Sequence, residues 1–382
     1  MRLLHVVPTY LPATRYGGPI YAVHGLCRAL AARGHEVDVF TTNVDGDRDS
    51  EVPLGVPVNL HGVRVHYFPS LSLRRIYVSP PMRRALAERL PAYDLLHLHS
   101  VFLWPTYVAA RAGERAHVPY VVSPRGMLVP ELIRRKSRFV KKTWIRLIEK
   151  HTFLHSSGIH FTAQREWDDA RQIPIPVPDP FIVPNGIDLP EASARDRLPG
   201  TLLFLGRINW KKGLDRLLDA VKALPEVKVI IAGNDEEDLT PKLQAQAEQS
   251  GIADRIEFRG PVSGAAKEEL LQTSTALVLP SLSENFGNVV LEAMAVEMPV
   301  IVTPEVGLAA DVALAGAGIV TSSLPEPLAA AIRGLLGDDK ARAAMGTRGR
   351  ELVAQRFTWD RVAAQMEEHY MRIAAVKNLW RP

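Results

Sequence analysis

Short apolar runs alternate with amphipathic stretches along the whole chain, a rhythm that predicts strand and helix in turn. Leu3 to Val7 reads as a first strand, and Gly17-Gly18-Pro19 then opens a helix whose apolar face is Ala22, Leu26, Ala29 and Leu30. Gly34 ends that helix, and strands follow at 37–42, 63–68, 94–99, 120–123 and 158–163. Between 173 and 200 the rhythm stops. Prolines 174, 176, 178, 180, 184, 190 and 199 exclude a helix interior or a central strand there, so the stretch reads as a linker carrying one short strand, 181–183. The alternation resumes with strands at 201–205, 227–233, 256–260, 276–280, 299–303 and 318–320, and an amphipathic helix from Trp359 to Val376 closes the chain.

Strand–helix alternation of this kind implies parallel sheets covered by helices on both faces. With 382 residues the chain is too long for one ordinary core. The expected architecture is α/β, two Rossmann-like doubly wound domains facing a central cleft. The expected divisions are 1–180, 181–358, and a terminal helix 359–382 that crosses back to the first domain. Ligands of such sheets bind at the carboxyl ends of the strands.

Composition narrows this only at a few points. Apolar residues are 47% and charged residues 23%, the balance of a globular protein rather than a disordered one. Pro8 and Pro12 interrupt the apolar start before a signal peptide could form, and no run approaches a membrane span. A cytoplasmic protein, at or near the inner face of the inner membrane, is the expectation. The single Cys27 allows no internal disulfide and reads as a small buried hydrophobe.

Candidate chemistry concentrates in the second half. Gly206-Arg207 to Lys212-Gly213 follows a buried strand and precedes a helix, so Arg207 and Lys212 sit where a diphosphate leaving group would need cations. Ser283 to Ala295 places Glu284 in a loop and Glu292 in the next helix, with Gly287 at the turn between them. The N–H groups of Asn288 and Val289 would face a phosphate from the helix N-terminus. Glu284 could accept hydrogen bonds from sugar hydroxyls, and Glu292 from a ribose diol. Gly233-Asn234-Asp235 and Gly260-Pro261 would border the nucleoside. Together these features fit one ligand, a nucleoside diphosphate sugar.

Glu284 to Glu292, a Glu-x7-Glu spacing within Ser-Glu-Asn-Phe-Gly-Asn-Val-Val-Leu-Glu-Ala-Met-Ala, resembles the signature of the GT-B glycosyltransferase family 4, the retaining group of bacterial polysaccharide and glycolipid synthesis. The Gly206–Gly213 segment and Val183-Pro-Asn185-Gly186-Ile-Asp188 are similar to that family too. The resemblance implies donor contacts at Arg207, Lys212, Glu284, Asn285, Phe286, Gly287, Asn288, Val289 and Glu292. Gly17 and Gly18 resemble the family's glycine loop near the donor phosphates, with Tyr16 beside it toward the acceptor. His99 resembles the residue beside the transferred sugar, so the catalytic set is His99, Glu284, Arg207 and Lys212. Arg125 lies in a segment similar to one in part of the family and is a candidate for the acceptor. Asn285-Phe286-Gly287-Asn288 departs from the usual Gly-Phe-Gly, which leaves the donor sugar open.

The resemblance implies hexosyl transfer from a UDP- or GDP-sugar to a glycan or polyprenyl-diphosphate-linked acceptor, with no cofactor and no metal. Two histidines, His97 and His99, without a nearby carboxylate or Cys do not make a zinc site. Asp45, Asp47 and Asp49 lack the glycine and late glutamate of a calcium loop. The basic, amphipathic stretch 131–151 is suited to an anionic membrane surface; no nucleic-acid-reading module accompanies it. The alternatives are a nucleotide-sugar 2-epimerase of the same fold and a non-catalytic nucleotide-sugar or glycan-binding partner of a membrane complex. Neither half has the Gly-x-Gly-x-x-Gly of a dehydrogenase.

Overall fold

A computed structural model describes residues 1–13, 17–135, 143–191 and 196–378. The chain divides into two compact units, Met1–Gly186 with Trp359–Pro382, and Ile187–Thr358. The first unit holds strands β1 (Arg2–Val6), β2 (Glu36–Thr42), β3 (Val44–Asp45), β4 (Arg48–Asp49), β5 (Val58–Leu60), β6 (Val63–Phe68), β7 (Leu95–His99), β8 (Tyr120–Ser123), β9 (Gly158–Phe161) and β10 (Pro180–Ile182). Eight of these form one sheet in the order β10-β9-β8-β7-β1-β2-β6-β5, parallel except for β5, while β3 and β4 make a separate small ribbon. The strand expected inside the linker is β10. Phe181 pairs with His160 as the sheet's edge, so the division falls after Gly186 rather than after residue 180.

Helices cover both faces of this sheet. On one side, Val23, Leu26, Cys27 and Leu30 of helix Gly18–Ala32 pack with Val362, Met366, Tyr370 and Ile373 of the terminal helix Trp359–Asn378. Burying each such side chain contributes roughly 1.5–3 kcal/mol. Cys27 is fully buried there, and burial pushes its thiol up to about 12. Trp359 lies between two glycines. A Cβ on Gly25 would come within 2.1 Å of its ring, and one on Gly186 within 2.5 Å. Arg33 fastens the same pair of helices through Asp360 at 3.0 Å and Glu367 at 2.6 Å.

The second unit holds β11 (Leu198–Leu205), β12 (Lys228–Ala232), β13 (Ile256–Gly260), β14 (Ser274–Leu279), β15 (Val300–Val302) and β16 (Gly318–Val320). They form a parallel sheet in the order β13-β12-β11-β14-β15-β16. The first strand, β11, therefore sits centrally, and the order reverses between it and β14. Ligands of doubly wound sheets bind at such a reversal, beyond the carboxyl ends of the strands. The segments 206–213 and 280–287 are the loops that leave β11 and β14.

The basic stretch 131–151 is helical where it is described. It comprises helix Pro130–Arg135, then a π-turn Ile145–Glu149 running into helix Lys150–Leu154. Residues 136–142, with most of its charge, lie outside the described residues, as does Tyr16.

Candidate active site

The loop after β11 is zipped to the loop after β12. Gly206 donates to Ala232, Ile208 donates to Asn234 at 2.8 Å, and Glu236 donates back to Ile208. Gly233 has φ 156° because a Cβ there would lie 1.8 Å from the Gly206 carbonyl oxygen, so only glycine allows the approach. Asp235 locks the second loop by accepting from the backbone N–H groups of Glu237, Leu239 and Thr240. Its carboxyl is held below the usual range by those bonds, against the upward push of burial. Asp235 is thus a structural brace.

Arg207 and Lys212 emerge from this frame differently. Lys212 is buried, and its ammonium is ion-paired with Glu284. Burial pushes the Glu284 carboxyl up, but Lys212, with Arg207 and Lys211 behind it, outweighs burial and holds it below the ordinary range. Lys211 is pushed down by burial and by the neighbouring cations Arg207 and Lys212. Arg207 is half exposed and donates to Glu236 at 2.8 Å.

The loop after β14 carries the rest. Glu284 bridges Val306 as in a parallel strand, donating its N–H to Glu305 and accepting from Gly307. Gly287, at φ 95°, makes the left-handed turn into helix Asn288–Ala295, whose positive end is formed by Asn288 and Val289. Phe286 is buried beneath the turn. One turn further on, Glu292 is three-quarters buried and accepts from Lys267 at 2.7 Å. Arg207, Lys212, Glu284, Asn285, Phe286, Gly287, Asn288, Val289 and Glu292 thus lie on the loops and helix at the sheet's reversal. Sequence reasoning missed the partners Glu236 and Lys267, which come from separate loops and helices with no spacing signal.

In the first unit, Gly17 has φ 63° and caps the helix begun by Gly18. His99 ends β7. It is fully buried, and both ring nitrogens are occupied: Arg125 donates to Nδ1 from Nε and Nη2 at 3.3 Å, and Nε2 meets His5 Nδ1 at 3.0 Å. A guanidinium can only donate, so the His99 proton sits on Nε2 and is given to His5. Burial, then the Arg125 charge, holds the His99 ring well below its ordinary pKa, so it is neutral. His97 points its Nδ1 at the Tyr370 hydroxyl, 2.6 Å away, and packs within the domain.

His5, which sequence reasoning did not connect to this pair, brings the histidine count to three. One nitrogen from each of His5, His97 and His99 lies within 4.8 Å of the others, so by donor type they could hold a metal ion. Arg125 opposes that use, because it commits the His99 Nε2 to a proton and adds a cation beside the centre. Glu114, His151 and His155 make a second such group, but the Arg111 guanidinium already lies against His151 and the carboxylate.

Both loops that carry these residues are strained, and each is held by a buried carboxylate. Ser100 (φ 75°) and Phe102 (φ 62°) follow His99, and Glu149 accepts the Phe102 N–H at 2.6 Å and the Trp144 indole N–H at 2.9 Å. Arg125 (φ 54°) precedes Gly126, whose N–H goes to Glu166 at 2.6 Å. Glu166 also accepts from the Thr162 N–H and hydroxyl. Left-handed non-glycine residues cost about 1–3 kcal/mol each and cluster at functional sites. Arg125 reaches the Asn185 side chain at 2.9 Å as well, so its guanidinium is engaged by both His99 and Asn185.

Two family models tile the chain: the description "glycosyl transferase 4-like domain" fits residues 17–186 and "glycosyl transferases group 1" fits residues 188–352. A D-inositol 3-phosphate glycosyltransferase from Xylanimonas cellulosilytica is 29% identical over 402 residues, covering 97% of this chain and 95% of that protein. One of the same name from Jonesia denitrificans is 26% identical and covers 99% and 97%. Among solved structures, the Anabaena protein Alr3699/HepE in complex with UDP and glucose superposes with a TM-score of 0.75 at 19% identity, covering 97% of this chain and 100% of that one. Sucrose-phosphate synthase from Thermosynechococcus elongatus gives 0.76 at 21% identity, covering 98% and 99%. The two parallel-sheet, Rossmann-like units are those of the GT-B fold, and the chain belongs to the group 1, family 4-like glycosyltransferases.

Proposed function

We propose that this glycosyltransferase moves a hexosyl group, with retention of anomeric configuration, from a UDP-sugar to a glycan or polyprenyl-diphosphate-linked acceptor. The observation that carries the reading is the convergence of Arg207, Lys212 and the positive end of helix Asn288–Ala295 at the reversal of the second sheet, with Glu284 beside them. That is a site for a diphosphate joined to a hydroxyl-rich group. The UDP-glucose complex of the Anabaena structural neighbour favours uridine as the base and glucose as the first sugar to test.

In this reading Glu292 receives the ribose diol and Glu284 the sugar hydroxyls. Arg207 and Lys212 stabilise the charge that gathers on the diphosphate as the anomeric C–O bond breaks. The acceptor oxygen then attacks from the same face, and a diphosphate oxygen takes its proton. The cationic side chains do the work a metal would otherwise do, so none is needed. His99 is held neutral and oriented within the first unit by Arg125 and His5.

Support for a lipid-linked acceptor comes from the end of the basic stretch. Leu147 and Leu154 are 68% and 62% exposed, with exposed Lys150 between them on the same outward face. Paired exposed leucines among basic residues fit an anionic bilayer surface at the cytoplasmic leaflet. A second acceptor class, a phosphorylated polyol, is favoured by the curated relatives named D-inositol 3-phosphate glycosyltransferase.

The test is transfer from UDP-glucose in excess EDTA, offered polyprenyl-diphosphate-linked sugars and inositol phosphate in parallel, with the product anomer read by NMR. A product of retained configuration supports the reading, and the acceptor that reacts selects the class. An inverted product, an epimerised donor formed without acceptor, or loss of activity restored only by metal would overturn it.

A further inference from the structure

Arg207 would meet the donor diphosphate, yet its guanidinium is already engaged. Nη1 donates to Glu236 Oε1 at 2.8 Å, and the other carboxylate oxygen accepts from Asn209 Nδ2 at 3.4 Å. Glu236 is not a wandering surface acid. The Gly233–Gly206 approach, the Asp235 brace and the Glu236 N–H to Ile208 bond hold its backbone against the Arg207 loop. The pair itself is weak, because Arg207 is 48% and Glu236 30% exposed, and such pairs contribute little to stability. A strong fixed frame therefore presents a weak, exchangeable ion pair at the diphosphate site.

Charge explains why that arrangement is useful. Of the three cations Arg207, Lys211 and Lys212, Arg207 is paired with Glu236 and Lys212 with Glu284. Once the sugar is transferred and the proton taken from the acceptor is released to solvent, the diphosphate carries one more negative charge than it did in the donor. An uncompensated cationic site would then hold the product more tightly than the substrate.

We propose that Glu236 is a positioning residue that competes with the diphosphate for Arg207, and so limits the affinity for the nucleoside diphosphate product. This rests on the donor-site reading above. Substrate binding swings Arg207 from Glu236 to the phosphate oxygens, and after transfer Glu236 takes Arg207 back as the product leaves. Releasing Arg207 from one partly exposed ion pair corresponds to roughly a two- to fivefold change in affinity.

The experiment is calorimetric titration of UDP, with GDP alongside, into wild type, Glu236→Gln, Glu237→Gln, Arg207→Ala and the Arg207→Ala/Glu236→Gln double variant. Glu236→Gln is expected to bind UDP about two- to fivefold more tightly and to show stronger product inhibition in turnover. Its effect should disappear in the Arg207→Ala background, since the two residues act through one contact. Glu237→Gln removes an equal charge from a carboxylate that meets the Trp210 N–H rather than Arg207, and should change affinity much less. Unchanged or weaker UDP binding in Glu236→Gln overturns the proposal, as does an equal gain in Glu237→Gln. If Arg207→Ala alone leaves nucleotide affinity untouched, it is the diphosphate site itself that fails.

Discussion

Glu149 offers a test of how the loop behind His99 is held. Burial raises its carboxyl from an ordinary 4.5 to about 7, against the lowering effect of the bonds from Phe102 and Trp144. In the unfolded chain the group loses its proton near 4.5, whereas the folded protein keeps it until about 7. The folded state therefore binds more protons between these values, and stability falls as pH rises through that window. The contribution is fully present below 4.5 and lost above 7. Each pKa unit is worth 1.36 kcal/mol, so the whole loss is about 3 kcal/mol, with about 2.5 kcal/mol of it falling between pH 5 and 8. Glu149→Gln keeps an acceptor for the Phe102 N–H and removes the titration. Urea unfolding of wild type and variant at pH 5 and pH 8 isolates the effect as a difference of differences, read in the transition that responds to the substitution, because a two-unit chain need not unfold in one step. The variant should lose about 2.5 kcal/mol less than wild type on going from pH 5 to 8. Parallel losses in the two proteins would mean that Glu149 does not titrate in this window.

Glu166→Ala would leave the N–H groups of Gly126 and Thr162 without their acceptor, and should cost about 2–4 kcal/mol in urea unfolding; a loss below about 1 kcal/mol would show that the loop does not depend on it. Gly25→Ala would drive a methyl into Trp359, and overpacking of that kind should cost about 1–3 kcal/mol and lower the thermal midpoint. An unshifted midpoint would mean that the indole moves freely. Replacing Leu147 and Leu154 together by glutamate should abolish co-sedimentation with vesicles rich in anionic lipid while leaving UDP binding intact; retained sedimentation would remove that face from the membrane proposal.

The second sheet was more legible from the chain than the pairs that tune its site. Each of its strands is a short apolar run, and the loops after β11 and β14 carry local motifs whose spacing speaks for itself. Glu236 and Lys267 carry no such mark, since each meets its partner across 29 and 25 residues of intervening chain. Glu149 was equally hidden. In a stretch dense with lysine and arginine an acid reads as a solvated counter-charge, and only the fold shows it turned inward against Phe102 and Trp144. The β10 strand was misassigned to the linker because proline flanks it, a pattern tolerated at a sheet edge, which is where it lies. His5 looked like an ordinary strand residue until β1 and β7 paired in register and set it beside His97 and His99.

On the proposed function, the reversal point of the second sheet binds a nucleoside diphosphate through its buried cation. Titration of UDP into wild type and Lys212→Ala tests it most directly. Saturable binding to wild type is expected, with roughly a ten- to hundredfold loss in the variant, the worth of one charge-assisted phosphate contact. UDP binding that is undiminished in Lys212→Ala would contradict it.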